Sequence, residues 1–112
     1  MTRPHKYGAT AVEVDGIRFA SKREAKRWSE LKLLERLGEI RDLKRQVPVL
    51  MHGEKEPIKT PTGRNATYRA DFTYIDNLNG AWVIEDSKGF RTPEYKLKRA
   101  ILAAMGIQIR EV

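Results

Sequence analysis

Residues 69–88 read RADFTYIDNLNGAWVIEDSK, from Arg69 to Lys88. Tyr, Phe, Thr and Ile dominate residues 66–76, and Trp, Val and Ile recur in 81–86. These side chains suit a pleated, half-buried surface. Asn77-Leu78-Asn79-Gly80 between the two runs is a turn signal. The stretch therefore predicts two strands joined by a tight turn. Its charges fall in unusual places. Asp71 interrupts the first apolar run, and Asp86 and Lys88 end the second. Side chains alternate along a strand, so Asp86 and Lys88 point to one side. Pairing around the turn brings Asp71 near both.

Two carboxylates converging at the end of a buried sheet repel each other, and are stable there mainly with a cation between them. All-oxygen ligation favours Mg²⁺ or Mn²⁺ over softer metals. A Lys beside such a cation positions a water and offsets charge on a phosphate. The other reading is a hairpin whose end charges are merely solvated, and the motif alone leaves both open. Asp71, fourteen intervening residues, then Asp86-Ser87-Lys88 resembles the PD-(D/E)XK nuclease signature, with Ala70 where that name has proline. Glu85 adjoins Asp86, but alternation sends it to the opposite face, which favours Asp86 as the ligand.

The chain has 112 residues, 22 Lys and Arg against 15 Asp and Glu, and a net charge of +7. That length suits one domain. A small domain this basic suggests a polyanionic partner, nucleic acid before membrane. Cysteine is absent and there are two His, which excludes disulfides and Cys-zinc sites and leaves oxygen to hold any metal. There is no run of about 18 apolar residues for a membrane span. The N-terminus, MTRPHKYGAT, has no apolar signal region, so a cytoplasmic protein is expected, in a bacterium or a phage-infected host cell.

Residues 1–9 are basic and polar, and are expected to be a flexible N-terminus ahead of one domain over 10–112. Residues 10–19 alternate around Asp15-Gly16, a hairpin signal that predicts a two-stranded ribbon. Ser21-Lys22-Arg23-Glu24 is a capping-box pattern, opening a helix from about Lys22 to Leu37 with Gly38 as its stop. Ala25, Trp28, Leu31, Leu34 and Leu37 make its inward stripe, and Glu24 lies within that stripe. Glu24 can close the capping box or reach Asp71 and Asp86. Glu35 has a similar phase and is expected at the edge of the core. Residues 40–51 predict a strand beginning near Leu43 or Gln46, with Pro48 arguing for an edge or a bulge. Gln46 is the uncharged polar side chain entering that run. Residues 53–65 predict a polar loop, from which Lys55, Lys59 and Arg64 are candidates for phosphate contact. Thr92-Pro93-Glu94 opens a second helix, to about Met105, with Gly106 ending it. Leu97, Ala100, Ile101, Ala104 and Met105 are expected on its buried side. Tyr95, Lys96 and Arg99 are expected on the other side, a basic face with one aromatic. IQIREV alternates as a last strand.

The predicted class is α/β (α+β): an αβββαβ core with a mixed sheet and an N-terminal β-ribbon. That order is the core order of the PD-(D/E)XK, restriction-endonuclease-like fold. The chain also resembles a family of small phage- and prophage-borne proteins, through Phe19 to Ala25, Gly38-Glu39-Ile40, Leu43 with Gln46, Tyr68 to Phe72, Glu85 to Gly89 and Thr92 to Lys98. In architecture it is similar to phage Holliday-junction resolvases of the same superfamily. The resemblance implies a site of Glu24, Asp71, Asp86 and Lys88, with Gln46 beside it. It implies a Mg²⁺-dependent endonuclease, Mn²⁺ substituting, in which Asp71, Asp86 and Glu24 hold the metal and Lys88 orients the attacking water. The expected partner is DNA, branched or duplex, held by Lys96, Lys98, Arg99, Arg91 and Arg64. No small-molecule cofactor is expected. A junction resolvase cuts two symmetric strands, so a homodimer is expected, with Trp28 and the ribbon as candidate faces. The alternatives are a non-catalytic nucleic-acid-binding module on a nuclease-like fold, and an RNA-processing nuclease.

Overall fold

The computed structural model describes residues 11–87 and 91–112. The predicted flexible N-terminus and Lys88 lie outside the described residues. Asp15 and Gly16 both take positive φ, 52° and 77°. That pair makes the tight two-residue turn between β1 (Val12–Val14) and β2 (Ile17–Phe19), which pair antiparallel. Phe19 at the end of β2 is fully buried and meets the Trp28 ring, at 6.1 Å between centroids. Trp28 in turn stacks on Phe72 at 6.0 Å. The ribbon is thus rooted on the first helix, and Trp28 is a packing residue.

Helix α1 (Lys22–Arg36) starts where Ser21 accepts from the Glu24 N–H at 3.2 Å. Two residues past its end stands Gly38, whose φ of 79° an L side chain adopts only with strain. Ala25 and Leu31 are buried as predicted, but Leu37 is 66% exposed, because the helix has already ended at Arg36. Glu35 sits at the edge of the core, half-buried, accepting from the Leu43 N–H at 3.2 Å.

Strands β3 (Ile40–Leu50), β4 (Thr67–Asp76), β5 (Trp82–Asp86) and β6 (Ile109–Glu111) form one mixed sheet in the order β3-β4-β5-β6. The first two pairings are antiparallel and the last parallel. Among the described residues the architecture is therefore α+β: two helices, a mixed four-stranded sheet and a separate antiparallel ribbon. β3 begins at Ile40, earlier than the Leu43 or Gln46 expected. The polar run Arg41-Asp42 obscures it: Asp42, at φ 55°, is the extra residue of a bulge between Arg41 and Lys44. Residues expected as a plain polar loop carry two isolated bridges, His52 to Pro57 and Lys59 to Asn65.

Helix α2 (Pro93–Ala104) begins at Thr92, whose hydroxyl accepts from the Tyr95 N–H at 3.1 Å. Its buried face differs from the one expected. Tyr95 and Leu102 are buried, with Ile101 and Met105 packed beside them, whereas Leu97 is 63% exposed and Ala100 and Ala104 face outward. Two stripes about a quarter-turn apart both fit a period of 3.6. The larger apolar areas of Tyr95 and Leu102 decide which one packs.

The two helices cover opposite faces of β5. Ile84 joins a core with Tyr95 and Leu102 of α2, while its neighbour Glu85 bonds to Arg27 of α1. Along β4, Ala70 belongs to the α2 core but Phe72 to the α1 core, with Leu31, Ile40 and Tyr74. Plain alternation would put residues 70 and 72 on one face. The change of face falls at Asp71, opposite Gln46, which holds a left-handed φ of 53°. β4 turns from one core to the other there, and this local bend of the strand sets the site.

Candidate functional site

Four elements deliver polar side chains to the bend. β4 contributes Asp71, the end of β5 contributes Asp86, the first turn of α1 contributes Glu24, and β3 contributes Gln46. Asp86 and Glu24 are both buried, Asp86 completely. The strand ends are stitched by their own carboxylates. Asp86 Oδ1 accepts from the Asp71 N–H at 3.3 Å, and Asp71 Oδ2 accepts from the Ser87 N–H at 2.9 Å. Each carboxylate thus stands beside the other strand's backbone, which is what the register of a hairpin closing at Asn77–Gly80 requires.

Glu24 does not stay at its own helix terminus. Its Oε1 accepts from Gln46 Nε2 at 2.9 Å, and Arg45 Nη2 lies 3.9 Å away. Ser21 caps the helix, and the Glu24 carboxylate turns inward. Burial pushes its pKa above the ordinary carboxylate range. The negative charge of Asp71 pushes further and that of Asp86 adds to it, while Gln46 and Arg45 pull it back. The three acids therefore feel one another across the bend. Tyr95 of α2 is close as well. Burial first, then the charges of Glu111 and Asp86, push its hydroxyl up to about 12.

Sequence reasoning brought Glu24, Asp71, Asp86 and Gln46 together, and the fold does so. It missed Tyr95, placed on the outer face by the wrong helical stripe, and Arg45, whose guanidinium lies over the Phe19 ring at 4.8 Å. It also left Glu85 without a partner. Glu85 is wholly buried on the other face, where Arg27 Nε and Nη2 donate to it at 2.5 and 3.0 Å and the Tyr74 hydroxyl at 2.5 Å. Arg110 donates to that hydroxyl at 3.2 Å. Arg27 lies 58 residues from Glu85, and no local signal links them. The cations expected to meet phosphate are partly engaged. Arg91 and Arg99 both pair with Glu111, the latter at 2.6 Å. Lys98 pairs with Glu94 at 3.1 Å and donates to the Thr67 carbonyl at 3.2 Å. Lys96 and Arg64 are exposed.

The donors at the bend are all oxygens, the set that suits Mg²⁺ or Mn²⁺. Among the described residues no three His, Cys, Asp or Glu side chains are already closed around a single point. A pair of carboxylates with water in the remaining positions is the usual Mg²⁺ arrangement. Asp71 and Asp86 fit that pair, with Glu24 behind them on Gln46.

Residues 4–111 match one protein family, described as Protein of unknown function (DUF1064). The chain belongs to that family. No curated protein matches it, and no solved structure does. The match spans every element of the site, from α1 to β6. No helix among the described residues is long and apolar enough to cross a membrane.

Proposed function

We propose that this protein is a metal-dependent endonuclease that hydrolyses phosphodiester bonds in DNA, on a restriction-endonuclease-like αβββαβ core. One observation carries the reading. Three carboxylates from three separate elements, Glu24, Asp71 and Asp86, are gathered at one bend, where burial and the charges of the other two disfavour an ionised Glu24. Repelling, buried carboxylates are typical of a place prepared for chemistry, not of one selected for stability. The element order and the +7 net charge support the same reading.

Bound at Asp71 and Asp86, a divalent cation would supply Lewis-acid stabilisation of phosphate charge and a more acidic water. The chain's own groups do the rest. Gln46 holds Glu24 by its amide and keeps the carboxylate aimed at the bend. Glu24, its pKa raised by burial and by the charges of Asp71 and Asp86, is a stronger base than an exposed carboxylate. Lys88, outside the described residues, keeps its role of orienting the attacking water. Branched DNA and a homodimer remain part of the proposal, from architecture alone.

The test is cleavage of single-stranded, duplex, flap and four-way DNA with Mg²⁺ or Mn²⁺, against Asp86→Asn and Lys88→Ala. Equal cutting by wild type and Asp86→Asn would mark a contaminant and reject the reading. Binding without cutting by any preparation would favour a non-catalytic nucleic-acid module, and cutting of RNA alone would change the substrate.

A further inference from the structure

Beside the carboxylates, on a flank of α1 they do not use, lies a cavity of about 540 Å³ open to solvent, within the usual range of small-ligand sites. Its lining takes Lys22, Arg23, Lys26, Arg27 and Glu30 from α1 and Ser87 from the end of β5. The helical members recur one turn apart along a single flank, so their side chains converge.

The charges in this cavity do not cancel. Arg27 is neutralised by Glu85, its partner at 2.5 Å. Of the rest, Lys22, Arg23 and Lys26 are cations, Glu30 is held by Arg27 at 3.1 Å, and Val112 completes the lining beside Arg23. Arg23 gives one N–H to the main-chain oxygen of Val112 at 3.0 Å, and a guanidinium has further donors. Ser87 Oγ is buried without a hydrogen-bond partner among the described residues. Such a hydroxyl is unfavourable until something accepts from it or donates to it. The same residue's N–H donates to Asp71 Oδ2 at 2.9 Å, so the cavity and the carboxylate cluster share a wall. The basic side of α2, by contrast, spends Arg99 on Glu111 and Lys98 on Glu94.

We infer that this cavity is a phosphate subsite, which takes the backbone phosphate of a nucleic-acid strand next to the one presented to Asp71 and Asp86. It rests on the proposed function only in that the ligand is nucleic acid. Two lysines and an arginine supply charge without reading bases, and Ser87 supplies a directional hydroxyl. The strand then runs along the first turns of α1, not across α2.

The experiment is fluorescence anisotropy of labelled duplex and single-stranded DNA with the full chain in EDTA, across a salt series. Lys22→Gln/Lys26→Gln should make the slope of log K against log salt shallower by about 1 for each cation removed, whatever the DNA sequence. Ser87→Ala should weaken binding with the slope kept. Lys44→Gln, an exposed lysine of β3, should leave both unchanged. Wild-type slope and affinity in the double variant, with an unchanged circular dichroism spectrum, would overturn the inference. So would a wild type that binds neither DNA, or a slope lost in Lys44→Gln instead. EDTA separates the two ideas. Binding through the cavity with no cleavage in Mg²⁺ defeats the nuclease and leaves the subsite. Cleavage with an unmoved slope does the reverse.

Discussion

Glu85 and Asp86 are neighbours on one strand, both wholly buried, and they live in opposite worlds. Glu85 meets two donors from Arg27 and one from Tyr74, so its charge is answered inside the fold. Asp86 faces the way of Asp71 and Glu24, and its charge, with that of Asp71, pushes the Glu24 pKa up. One step along a strand reverses the face, and here it also separates an ion pair that ties α1 to the sheet from a gathering of three acids. Burial alone does not say how a carboxylate's charge is met; the groups around it do.

That contrast can be broken in several ways. The largest effect belongs to the closed side. Glu85→Gln or Arg27→Met leaves a buried partner uncompensated and should cost about 3–5 kcal/mol in urea unfolding. A loss under about 1 kcal/mol would show that the ion pair holds little. Next, Asp86→Asn should lower metal-dependent cleavage by more than about 100-fold, the upper range found even for groups that merely support metal ligands. The folding midpoint should barely move.

Glu24→Gln keeps the shape and the Gln46 contact while removing a repelled charge. It should raise stability in EDTA by about 0.5–2 kcal/mol while lowering activity, the usual sign of a site that trades stability for function. A loss of stability would place Glu24 with Glu85 instead. The same group predicts a pH trend. Its folded pKa lies above the unfolded value of 4.5, so the native state binds more protons in that window. Glu24's contribution therefore falls as pH rises through it, and Glu24→Gln should flatten that limb of a stability–pH curve.

The smallest effect is alkaline. Burial, then the bond to Glu85 and its charge, push Tyr74 from 10.0 up to about 12. Unfolded tyrosine ionises first, so stability should fall between pH about 10 and about 12, and Tyr74→Phe should remove its share of the slope. Phenolate absorbance of the folded protein follows the same titration.

Much of this was legible in the chain because local chemistry wrote it. Asp15-Gly16 forces its turn, Ser21 and Thr92 start their helices, and the spacing from Asp71 to Asp86 encodes the register of the hairpin. What stayed hidden depends on distant partners. The Asp42 bulge masks the first turns of β3 because a polar pair at a strand start looks like loop. The buried stripe of α2 was ambiguous until Tyr95 had Tyr68 to meet, at 6.1 Å between rings. The basic flank of α1 carries no signal of its own in the sequence, since only the fold sets Ser87 against it.

β3 lies at an end of the sheet and offers a long rim that another chain's strand could copy. The Asp42 bulge, the left-handed Gln46 and Pro48, which has no N–H, interrupt that rim at three points within its eleven residues. Interruptions of this kind blunt edge-to-edge aggregation. The conformation that turns Gln46 toward Glu24 therefore also serves as a guard, and straightening it would expose a sticky margin as well as disarm the bend.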